Sequence, residues 1–111
     1  MKKLFKNYAY DFDKNEAKLL TSFCKQAIEQ MSGNQDFYKD VKAFESIREK
    51  IAEDPFAVKL TKDEKTRLVH QLTQNRNHIK TTMGKSGFIK KWFYKSMLNQ
   101  YENLLETHFS N

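Results

Sequence analysis

"YAYDFDKNE" at residues 8–16 and "FAVKLTKDE" at residues 56–64 follow one pattern. In each, apolar side chains alternate at period two, and a small polar residue comes next, with a glutamate three positions on. Alternation of that kind suits an extended, pleated stretch. Asp or Thr three residues ahead of Glu is a capping box, which satisfies orphan backbone N–H groups and starts a helix. Asp13–Glu16 and Thr61–Glu64 therefore mark two helix beginnings, each preceded by an extended segment.

Helical spacing continues from both starts. Leu19, Leu20, Phe23, Cys24, Ala27, Ile28 and Met31 recur on one face until Gly33 closes the run. A second pattern, Phe37, Val41, Phe44, Ile47 and Ile51, stops at Asp54-Pro55, because proline disfavours helix in the residue before it. The third carries Leu68, Val69, Leu72 and Ile79 and ends near Gly84; the fourth runs from about Phe88 to His108.

A shift of 48 residues superposes the two patterns. Tyr8, Tyr10 and Phe12 fall on Phe56, Val58 and Leu60, while Leu20, Cys24 and Met31 fall on Leu68, Leu72 and Ile79. Val41 and Phe44 fall on Ile89 and Trp92. The expected fold is mainly α, a single four-helix domain over 1–111 made of two tandem, pseudo-repeated hairpins, halves 8–53 and 56–108. Stretches 8–12 and 56–60 read either as short strands paired with each other or as extended segments lying across the bundle.

A chain of 111 residues holds one core without disulfides or metal, and nine Phe, five Tyr and one Trp make that core aromatic. Single Cys24 excludes an intrachain disulfide framework. The basic start lacks the apolar stretch of a signal peptide, and no apolar run reaches membrane-spanning length. A cytoplasmic protein with no membrane partner is expected. Its Lys- and Asn-rich usage fits an AT-rich bacterial or phage genome.

Charge is lopsided. Residues 1–57 carry ten basic and ten acidic side chains; residues 58–111 carry ten basic and four acidic, the whole net +6. Between Lys65 and Tyr101 stand eight basic residues and no acid. Such a window is either a solvated helical face or a surface for an acidic protein or nucleic acid. The candidate partner-binding residues are Arg76, Lys80 and Lys85 at the end of helix three, with Phe88, Lys91, Trp92 and Lys95 opening helix four. Lys90 points toward an apolar stripe formed by Ile89, Phe93, Met97, Tyr101, Leu104 and Leu105. Trp92 is core if it follows Phe44, and surface otherwise. If Trp92 is core, the remaining stripe is wider than a surface helix buries, so either helix four is central or a second chain packs on it, as a homodimer through that helix or in a partner's groove.

Other chemistries fit poorly. "GKS" at 84–86 suggests a phosphate loop, but the first glycine of that motif would be Ile79, and the preceding segment reads as helix. His70, His78 and His108 lack the spacing that places two imidazoles on one helical face, so no metal or other cofactor is expected. Asp11 and Asp13 are the best carboxylate pair, yet Asp13 has a capping role; Asp36 and Asp40 suit a helix start. Cys24 sits in an apolar run, where a thiol is inert. The expected function is a non-enzymatic regulatory or inhibitory binding protein, with a nucleic-acid binder of little sequence specificity as the alternative.

Overall fold

A computed structural model describes residues 8–85 and 87–109. Residues 1–7, which hold the basic start, and Ser86 of the "GKS" triplet lie outside them. The elements are β1 (Tyr8–Tyr10), α1 (Lys14–Met31), α2 (Tyr38–Glu53), β2 (Val58–Leu60), α3 (Lys62–Lys85) and α4 (Phe88–Leu104). A tight turn, Gln35–Phe37, leads into α2, and a wider π-type turn, Leu105–Phe109, ends α4. Helices α1 and α2 form one hairpin, α3 and α4 a second.

Both capping boxes form. Asp13 Oδ1 accepts from the Glu16 N–H at 2.8 Å, and Glu16 Oε1 accepts from the Asp13 N–H at 3.0 Å. Thr61 and Glu64 repeat the exchange at 3.1 and 2.9 Å. At the other end of α1, Ser32 N–H returns to Ile28 O, and Gly33 takes φ +94°, a conformation that carries no Cβ penalty in glycine. Gly84 has no such role. It lies within α3, one residue before the helix ends at Lys85, and Gly87 is the N-cap of α4.

The alternating stretches pair as antiparallel strands, with Tyr8 opposite Leu60, Ala9 opposite Lys59 and Tyr10 opposite Val58. Under the 48-residue shift Tyr10 and Val58 are equivalent positions, so the last pair of the ladder joins matching points of the two patterns. Phe12 N–H donates to Pro55 O at 2.9 Å and extends the pairing past the strand ends. Val58 and Leu60 are buried with Lys59 exposed between them, the period-two outcome of a strand covered on one face. Phe12 is fully buried and stacks on Tyr10, ring centroids 5.5 Å apart.

The chain divides into two compact units within α3, one up to Leu68 and the other from Val69. In the first, Leu20, Phe23, Cys24, Ala27 and Met31 of α1 are buried, as are Ala43, Phe44, Ile47 and Ile51 of α2. Phe23 meets Phe44 edge to face at 6.1 Å, a geometry worth about 1 kcal/mol beyond area burial. Phe12, Val58, Leu60 and Leu68 are also buried in this unit. Phe37 departs from the helix-two pattern: it lies in the preceding turn and is exposed. In the second unit Leu72 and Ile79 of α3 are buried, with Leu98, Tyr101 and Leu104 of α4 and Phe109 beyond it.

Candidate functional site

Asn75 Nδ2 donates to the Tyr101 hydroxyl at 3.2 Å, joining α3 to α4. Lys85 ends α3, Phe88, Lys91, Trp92 and Lys95 lie on the opening turns of α4, and Lys80 stands five positions before Lys85. Arg76 is set apart. It lies nine positions before Lys85, about 14 Å along the axis, is half-buried, and its Nε donates to Asn77 Oδ1 at 3.1 Å.

Burial on α4 divides the expected stripe. Trp92 is 78% exposed, so it does not follow Phe44, which has no exposed surface. Ile89 and Phe93, at the start of the apolar stripe, are 80% and 59% exposed, and Phe88 is 91% exposed. The reason is geometric: steps of four residues advance about 40° around a helix. The row Ile89, Phe93, Met97, Tyr101 therefore winds through about 120°, from the outward face to the core. Tyr94 and Met97 are half-buried, and full burial begins at Leu98.

The result is a contiguous apolar arc on the first two turns of α4, made of Phe88, Ile89, Trp92 and Phe93. On the helical wheel Lys91 and Lys95 border it beside Phe88 and Trp92, while Lys90 lies past Phe93 on the other side. All three lysines are exposed, Lys90 included. Contiguous apolar exposure rimmed by charge is a mark of an interaction surface, since an isolated soluble domain seldom leaves it uncovered. Deeper in the hairpin, burial raises the Tyr101 hydroxyl above its ordinary range, partly opposed by the hydrogen bond from Asn75. Tyr101 is thereby a neutral, structural tyrosine at physiological pH.

The first unit offers a rival in an open cleft of about 490 Å³ lined by Tyr38, Lys42, Ser46, Thr61, Glu64 and Arg67, among others. Its carboxylates and its arginine are engaged in holding the fold. Arg67 pairs with Asp40 at 2.8 Å and with Asp63 at 3.1 Å. Glu64 takes Lys50, Ser46 and Thr61, and Lys42 Nζ sits 5.7 Å from the centre of the Tyr38 ring. Asp13 is engaged as a cap, and burial pushes the Cys24 thiol up to about 12 despite the opposing charge of Arg48. Among the described residues no three His, Cys, Asp or Glu side chains stand together as a metal site. None of their helices is long and apolar enough to cross a membrane.

No protein-family model, curated protein or solved structure matches the chain.

Proposed function

We propose that this chain is a small, non-enzymatic binding protein that regulates or inhibits an acidic macromolecular partner by docking the opening turns of α4 on it. One observation carries the reading: Phe88, Ile89, Trp92 and Phe93 stand uncovered beside Lys90, Lys91 and Lys95. Burying such side chains is worth roughly 1.5–3 kcal/mol each, enough for a specific contact, and the lysines select for negative charge and speed encounter. The absence of acids from Lys65 to Tyr101 extends the positive field along the hairpin. A cytoplasmic setting in a bacterium or phage fits the composition.

The experiment is affinity capture from the native host, analysed for both protein and nucleic acid, with wild type beside Lys91→Glu/Lys95→Glu and Trp92→Ala. A protein partner lost with either variant is the expected result. Retention of the same partners by both variants would remove α4 from the account.

Nucleic acid is the second reading, favoured by the acid-free window and by exposed rings able to stack on bases. Salt separates the two. Four phosphate contacts lose roughly a hundredfold in affinity between 50 and 200 mM salt, whereas an interface centred on aromatic side chains weakens far less.

A further inference from the structure

Resting on that reading, we infer that the occupant of the α4 surface is an acidic amphipathic helix presented by the partner protein. The argument begins with spacing. Phe88–Trp92 and Ile89–Phe93 are two rows four residues apart, lying side by side and exposed along their length. Such rows are ridges with a channel between them, and the first row drops to the small, exposed Ser96 one step past Trp92. Ridges of this type receive the matching ridge of a second helix, crossing at about −50°.

Charge chooses what that helix carries. Lys91–Lys95 makes a third row beside Phe88–Trp92, and Lys90 stands beyond Phe93, so positive charge bounds the apolar channel on both sides. The complement is an apolar stripe bounded by Asp and Glu, the pattern of an ordinary amphipathic helix with acidic flanks. A second copy of this chain is a poor fit. It would bring lysine rows against lysine rows, and Glu102, the next acid, lies ten positions past Trp92, about 15 Å along the axis. Nucleic acid leaves Ile89, which has no aromatic face to stack, against a charged backbone.

Trp92 is the one tryptophan of the chain and stands on a ridge bordering the channel, so its emission reports directly on what covers it. The probes are short peptides, duplex DNA and phosphatidylglycerol vesicles. One peptide is acidic with a helical apolar stripe, one has the same composition shuffled to break the stripe, and one is striped with Lys for Glu. The expected result is a saturable blue shift with the striped acidic peptide, bound at least about tenfold tighter than the shuffled one. Lys91→Glu/Lys95→Glu and Phe88→Ser/Phe93→Ser should each weaken it by a similar factor while leaving the far-ultraviolet circular dichroism unchanged. Equal binding of the shuffled peptide overturns the inference, because charge alone would then suffice. A shift with DNA or vesicles and none with the striped peptide also overturns it, while leaving α4 as a binding surface. Silence from every probe overturns it too, and host capture then decides the broader reading by itself.

Discussion

Glu64 Oε1 lies 2.7 Å from Lys50 Nζ, so that one carboxylate ties the first turn of α3 to α2. The same oxygen accepts the Thr61 N–H at 2.9 Å, and Oε2 accepts the Ser46 hydroxyl at 2.6 Å. Glu64 is itself buried, at 8% exposure, and each hydrogen bond to its carboxylate is charge-assisted. Replacing it with Ala removes the carboxylate half of the capping box, the ion pair and the Ser46 contact together. Lys50 is about one-third exposed and recovers water, which keeps the loss below that of a fully buried pair. Glu64→Ala should lower unfolding stability by about 2–3 kcal/mol, read as a fall in urea midpoint at unchanged slope.

Acid should act through the same residue. Burial tends to raise the Glu64 carboxyl, but Lys50, Ser46 and the Thr61 N–H outweigh burial and hold it below its ordinary value. A carboxylate whose acidity is greater folded than unfolded stabilises the fold fully above its unfolded pKa, about 4.3. That contribution disappears as pH falls through the lower folded value. Urea midpoints should drop on acidification below about pH 4, and the part due to Glu64 should be missing in Glu64→Gln. Equal acid sensitivity in the two proteins would contradict this.

Cys24 should resist thiol reagents while the protein is folded. Its side chain has no exposed surface, and with its pKa pushed up to about 12 the thiolate is scarce at neutral pH. Labelling by a thiol-specific disulfide reagent at pH 8 should be at least about a hundredfold slower in buffer than in urea. Comparable rates would mean that α1 opens readily around this position.

Phe44 and Trp92 occupy equivalent positions under the 48-residue shift but should respond oppositely to truncation. Phe44→Ala empties a site in the aromatic core and should cost about 3–5 kcal/mol. Trp92→Ala and Phe88→Ser alter side chains in solvent and should shift stability by less than about 0.5 kcal/mol, while abolishing partner binding. A large loss of stability from Trp92→Ala would show that the tryptophan packs on its own chain.

What could be read from the sequence was what is local. Both capping boxes depend on a spacing of three residues, and the strand ladder on period-two alternation, so Asp13, Thr61, β1 and β2 were found where expected. Lys85 at the end of α3 and Phe88, Lys91, Trp92 and Lys95 on the opening turns of α4 are exposed, and their chain positions follow from the short turn between the helices. Which part of the α4 stripe stays uncovered was not legible, because the burial of a helical face depends on the neighbour opposite, and the row from Ile89 through Phe93 winds toward it only at Tyr101. The pairing of Glu64 with Ser46 and Lys50 joins positions 18 and 14 residues apart, and nothing in local spacing signals it.

The β1–β2 ladder also bears on the order of folding. Tyr8 and Leu60 meet only after the whole α1–α2 hairpin has been brought between them, so pairing spends chain entropy before its hydrogen bonds return any. Contacts such as Phe23–Phe44 need far less chain to be closed and can form the nucleus. Weakening the ladder, as by Val58→Ala, should therefore quicken unfolding and leave the refolding rate nearly unchanged. The two three-residue strands act as a late clasp, governing how long the first unit stays folded more than how quickly it gets there.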